Sequence, residues 1–158
     1  AGAGPAARGR RRLVDPHPRA VETEGLAAAL NGYLKNFAGA GGPVCELQDE
    51  LVIEPDSAAR VILFRITQEA LVNVRKHARA GHARIKLWNQ DHGFAGSVSD
   101  DGVGFEPGTS DSGHGHLGLT TMQERASQAR GWLRVESKPG EGTEIQFWIP
   151  ESSDVDAA

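Results

Sequence analysis

Cysteine is almost missing: Cys45 stands alone in 158 residues, so no disulfide can form within the chain, and a reducing compartment is expected. No apolar run approaches the roughly 20 residues a membrane helix needs. The first residues lack a signal-peptide core, since glycine and charge dominate them. A basic surplus is absent too. The net charge is -4, although four of the 17 basic residues (Arg8, Arg10, Arg11, Arg12) crowd the start. The remainder has no basic face to offer nucleic acid. The six histidines show no zinc-ligand spacing, and no GxxxxGK[ST] segment marks a P-loop. What is left is a soluble chain, expected in the cytoplasm and without membrane contact. Its length suits one domain, and at 39% hydrophobic and 24% charged residues it can build an ordinary core.

Residues 1–12 are low in complexity and are expected to be a flexible tag or linker stub; residues 151–158 are expected to be a disordered tail. Between them, Thr23 is expected to cap a helix running to about Phe37, ended by the glycines of 39–43. Val44 to Ile53 reads as a strand or two with a turn. Asp56 is expected to cap the longest helix, from Ser57 to about Ala78, with Val61, Phe64, Leu71 and Val74 at helical spacing. HARIKLWN (82–89) and GFAGSVSD (93–100) alternate as two strands of a hairpin. Residues 101–117 are glycine-rich and read as a long mobile loop. A helix is expected from Leu119 to Ala129, then strands at 132–137 and 143–150. Trp88, Trp132 and Trp148 are expected in the core rather than on a stacking platform. Helices first, then hairpin-linked strands with one inserted helix, favour a two-layer α/β (α+β) sandwich over a doubly wound parallel sheet.

Three stretches carry chemistry. Glu69, Asn73 and His77 are four apart on the long helix, so they form one polar stripe with Lys76 beside it. That stripe suits a solvated face equally. Yet a carboxylate and an amide oxygen are hard ligands of the kind Mg²⁺ accepts, and Lys76 and His77 can neutralise phosphate oxygens. Asp100-Asp101-Gly102-Val103-Gly104 directly follows a strand. It is either a simple turn or a carboxylate acceptor for an adenine amino group, with glycines that let a flat ring approach. Gly113-His114-Gly115-His116-Leu117-Gly118 has the GxGxxG spacing, with Glu136 following. No strand precedes it, so a dinucleotide fingerprint is set aside. The better reading is that Gly118 opens a helix whose free amides meet phosphates, with a hinged lid before it. His114 and His116 in that lid are read as exposed rather than as metal ligands.

In combination, QEALVNVRKHA (68–78), SDDGVGF (99–105), HLGLTTMQERA (116–126) and GEGTEIQFWIP (140–150) resemble the N box, two glycine boxes and closing glycine-threonine segment of the histidine-kinase-type ATPases. That family shares the Bergerat fold with gyrase, a class of heat-shock chaperones and the MutL mismatch-repair proteins. The wording is similar to the subclass that partners response regulators of the nitrate/nitrite and oxygen-sensing type. LVDPHPRAVETEGLAAAL (13–30) resembles the segment joining that subclass's dimerisation helix to its ATPase domain, so the resemblance covers residues 13–150.

The resemblance implies a mixed, mostly antiparallel sheet packed against about three helices. It implies ATP and Mg²⁺ as cofactors, with Asn73 as metal ligand and Glu69 near the metal or its water. Lys76 and His77 would face the phosphates. Asp100 would accept from adenine, with Gly102 and Gly104 making room and Thr143 alongside. Gly118 and Leu119 would hold phosphates through backbone amides. The implied activity is donation of the γ-phosphoryl group of ATP to a histidine on a separate dimerisation domain, which in turn serves a response regulator. His17, between two prolines, cannot be that histidine, because the prolines exclude a regular helix. An anti-sigma-type serine kinase, a gyrase-like ATP-hydrolysing module and a non-catalytic nucleotide sensor are the alternatives.

Overall fold

The computed structural model describes residues 19–37, 41–106 and 113–151, with the backbone alone over 113–117. The expected stub at 1–12, His17, the stretch 107–112 of the expected loop and the tail from 152 lie outside these residues, as do the side chains of His114 and His116. In chain order come α1 (Arg19–Thr23), α2 (Leu26–Phe37), β1 (Val44–Glu50) and α3 (Ser57–Asn73), which is prolonged by a π-helical turn over Val74–Ala78. Then follow β2 (His82–Gln90), β3 (Gly93–Asp100), α4 (Gly113–Gln128), β4 (Trp132–Ser137) and β5 (Thr143–Pro150). The strands form one sheet in the order β1-β2-β3-β5-β4. Among the described strands only β1 and β2 run parallel; the other neighbours are antiparallel. The helices cover one face, giving the expected two-layer α/β sandwich.

Strand alternation sets the core. Ala83, Ile85 and Leu87 of β2, Phe94 and Val98 of β3, and Ile145, Phe147 and Ile149 of β5 all turn inward and are buried. Against them α3 lays Leu63, Phe64, Ile66, Ala70 and Leu71, and α4 lays Met122 and Ala126. The one buried hydroxyl of α3, Thr67, donates to the Leu63 carbonyl at 2.8 Å, so it leaves no orphan in the core. Asp56 caps α3 as expected, accepting from the Ala59 amide at 3.0 Å.

Three expectations are corrected. Thr23 is not the cap: it closes α1, where its hydroxyl donates to the Arg19 carbonyl. The chain breaks after Thr23, and the Leu26 amide at the start of α2 donates instead to Glu54 Oε1 at 2.8 Å, 28 residues away. The helix expected from Leu119 starts at Gly113. Glycine is a poor helix former, but propensity is a weak prior against packing, and α4 lies along α3 with Gly118 against Asn73. The tryptophans are not core residues. Register aligns Trp88, Ala95, Trp148 and Trp132 in one row across β2, β3, β5 and β4. That row has the parity opposite to Leu87 and Phe147, so it lies on the face away from the helices. There the indoles cover the small residues of β3, and Trp148 Nε1 donates to the Gln90 carbonyl at 2.7 Å.

Because Glu54 supplies an N-terminal cap from a distance, Glu54→Ala is expected to lose about 1 kcal/mol, within the range of lost helix caps. Thr23→Ala should be nearly neutral. Urea unfolding midpoints check both, and a Thr23→Ala loss matching that of Glu54→Ala would show that the cap is misassigned.

Candidate functional site

The site is built where α3 ends. The π-turn over Val74–Ala78 stops at Arg79, whose φ of 53° is left-handed. Such turns concentrate at functional positions because they re-aim side chains and free carbonyls. The Ala78 carbonyl freed here accepts from the Val103 amide at 2.7 Å. The 100–104 loop is thereby pinned to the helix end. The Val103 carbonyl accepts from Gly140 at 2.6 Å, which ties the same loop to the turn before β5. Asp101 braces the other side: its Oδ1 accepts from the Gly81 and His82 amides, each at 2.9 Å, and Oδ2 meets the His82 ring at 3.0 Å. Those contacts, led by the His82 amide, hold the exposed Asp101 carboxyl below the usual range.

The glycines make room, but for protein backbone. A Cβ at Gly102 would strike the Ala78 carbonyl, and one at Gly104 would strike that of Lys138. A Cβ at Gly142 would strike the Asp100 carbonyl, and φ is +64° at Gly104 and +80° at Gly142. Only glycine tolerates this combination.

Asp100 ends β3 on the inward face. It lines a narrow pocket of about 50 Å³ with Asn73, Thr143, Leu119, Phe105 and a wall of Ala70, Val74, Ala78, Val98 and Ile145. Desolvation pushes its carboxyl above the ordinary aspartate range, the Gly102 amide opposes this, neighbouring Asp101 adds to the rise and the Thr143 amide lowers it. The Gly102 amide donates to Asp100 Oδ1 at 2.8 Å. A wider cleft of about 490 Å³ opens on the other side of Asp100 and Thr143. Glu136, Glu141 and Glu144 line it with a single cation, Lys138, so carboxylates outnumber positive charge there and disfavour phosphate. The narrow pocket is the better anchor point for a ligand that carries an anion; at about 50 Å³ it holds part of such a ligand, not the whole. It combines apolar walls with convergent polar groups, and the exposed cations Lys76 and His77 follow Asn73 on the π-turn.

The structure thus brings Asn73, Asp100, Leu119 and Thr143 together and places Gly102 and Gly104 behind them. It does not bring Glu69 into the pocket. Glu69 Oε1 lies 3.8 Å from Arg125 Nη2 of α4, while Oε2 is buried without a hydrogen-bond partner among the described residues. Desolvation pushes its carboxyl up; Arg125 and Arg65 oppose this. Gly118 is the sixth residue of α4, not its first, and packs against the Asn73 carboxamide, where an added Cβ would meet Oδ1 at 3.2 Å. Arg125 and Ser137 were not read from the sequence. Ser137 carried a signal, since it shares the inward parity of Leu133 and Val135 on β4 yet is polar.

An α/β sandwich with this pocket between its last sheet strands and an N-box-like helix is an ATPase-type architecture. The profile described as histidine kinase-, DNA gyrase B-, and HSP90-like ATPase matches residues 58–153, and the chain belongs to that family. Over 143 residues it is 34% identical to the signal transduction histidine-protein kinase/phosphatase DegS of Brevibacillus brevis, covering 89% of this chain and 36% of that protein. Over 151 residues it is 36% identical to the sensor histidine kinase MctS of Rhizobium johnstonii, covering 91% and 32%. The chain therefore spans about a third of the length of these relatives. Among solved structures, the fold matches the blue-light activated histidine kinase of Erythrobacter litoralis at a TM-score of 0.66 and 20% identity, covering 85% of this chain and 44% of that one. It matches the Acinetobacter baumannii histidine kinase AdeS at 0.62 and 13%, covering 81% and 64%.

Burial disfavours the charged form of Glu69. Because the fold favours its protonated form, the stability it contributes is present below the ordinary carboxylate pKa and is lost as pH rises through the raised value. Glu69→Gln is therefore expected to melt no lower than the parent at neutral pH, with any advantage vanishing in acid. Thermal melts across pH check this; a drop of several degrees at neutral pH would show that the Arg125 pair outweighs desolvation.

Proposed function

We propose that the chain binds Mg²⁺-ATP in the pocket between α3 and the sheet and donates the γ-phosphoryl group to a histidine on the dimerisation domain of the same cytoplasmic kinase, which then serves a response regulator. The observation that carries this reading is Asp100: a half-buried carboxylate facing an apolar pocket, with Thr143 beside it and Asn73 at the pocket edge. A carboxylate there accepts from the exocyclic amino group of adenine, which only donates. The kinase relatives support the phosphoryl-transfer part.

The residues present fit a magnesium ion that arrives with phosphates. Among the described residues no group of three or more His, Cys, Asp or Glu forms a cage. Asn73 supplies one hard oxygen at the pocket, and the phosphates and water would complete the shell; Glu69, one turn earlier, lies outside the pocket against Arg125. When bound, Mg²⁺ neutralises charge on the transferred phosphoryl group. Asn73 orients the phosphate end, while Lys76 and His77 add positive charge. The acceptor imidazole is itself the nucleophile, so no base is required from this domain.

Asp100→Ala should weaken ATP binding roughly ten- to hundredfold or more, as expected when a buried donor loses its acceptor. Unchanged calorimetric affinity would remove adenine from this pocket. Asn73→Ala should still bind nucleotide but without the tightening that added Mg²⁺ gives the parent. An undiminished Mg²⁺ effect would show that Asn73 is not the ligand.

A further inference from the structure

We infer that Ser137 selects the nucleobase by fixing the direction of the Thr143 hydroxyl proton, so that Thr143 and Asp100 both meet the ligand as acceptors and favour an amino group over a carbonyl. The inference rests on the nucleotide reading of the pocket and goes beyond it to specificity.

Ser137 ends β4 on the inward face and is 8% exposed. Three groups converge on its hydroxyl. The Phe105 amide lies 2.8 Å away, and an amide only donates. The Gly142 carbonyl lies 3.1 Å away, and a carbonyl only accepts. Thr143 Oγ1 lies 2.8 Å away and can do either. A serine hydroxyl has one proton and two lone pairs. The proton goes to Gly142, and the first lone pair takes the Phe105 amide. The second lone pair is left for Thr143, whose own proton must therefore point at Ser137. No other arrangement satisfies all three contacts.

Thr143 Oγ1 is then left with lone pairs alone. Asp100, which shares the pocket with it, is likewise an acceptor when ionised. Two acceptors without a proton between them welcome the amino group at C6 of adenine. They repel the C6 carbonyl of hypoxanthine or guanine, where lone pair would meet lone pair. Discrimination of this kind works by leaving the wrong ligand unpaired, which is stronger than any size filter. Asp100 alone would not suffice, because a free Thr143 hydroxyl could rotate and donate to the carbonyl.

The test compares ATP with inosine triphosphate, which differs only at C6 and in the proton its ring nitrogen then carries. Both are titrated calorimetrically, with Mg²⁺, into the 158-residue chain and its variants. The parent should prefer ATP. Ser137→Ala should narrow that preference roughly five- to tenfold, about the worth of one hydrogen bond. Equal weakening of both nucleotides, with their ratio unchanged, would overturn the inference and leave Ser137 a structural residue. Should Ser137→Ala not fold, Thr143→Ser is expected to keep the preference and Thr143→Val to narrow it. Equal ratios in those two variants would likewise overturn it. A parent chain that binds neither nucleotide would overturn the nucleotide reading itself.

Discussion

Backbone meets backbone at three points around one loop, and the rest of the site depends on those contacts. Gly102 lies against the Ala78 carbonyl, Gly104 against that of Lys138, and Gly142 against that of Asp100. Together they fasten the end of α3, the 100–104 loop and the β4–β5 turn into one unit. No side chain fits between them, and the Val103 hydrogen bonds to Ala78 and Gly140 pin the loop in place. Asp100 inherits its position from that constraint. So does Ser137, whose hydroxyl reaches Phe105 on one side of the junction and Gly142 on the other.

The unit also carries the site's electrostatic cost. Asp100 and Glu69 are both carboxylates pushed up by desolvation, and Glu69 leaves one oxygen without a partner. Neither arrangement would be chosen for stability alone, since an incompletely paired buried charge is unfavourable. The continuous core of α3, α4 and the inward sheet face supports them, with Phe64, Phe94 and Phe147 buried at its centre.

What could be read from the sequence follows how local each determinant is. Strand alternation is local, so the spans at 132–137 and 143–150 coincide with β4 and β5, and Asp56 caps α3 from three residues away. The cap of α2 is not local. Glu54 reaches Leu26 across 28 residues, and no window around Thr23 contains it. The start of α4 was missed for a related reason: glycine propensity argues against a helix at Gly113, and only packing on α3 overrides it. The tryptophans were legible in principle, because their parity opposes that of Leu87, but hydrophobicity outweighed phase. Asn73, Asp100 and Thr143 stand in separate motifs, and the pocket they share depends on the sheet order. Glu69 differs because its partner, Arg125, lies 56 residues away on another helix.

The central claim is that this domain holds ATP so that a histidine elsewhere can take its phosphoryl group. The direct measurement supplies γ-labelled ATP and Mg²⁺ to the domain, with and without the proposed dimerisation segment. The account predicts little label on the domain and slow ATP turnover alone, and acid-labile, base-stable phosphohistidine on the added segment when both are present. Rapid hydrolysis without the segment, or strong labelling of the domain itself, would contradict it.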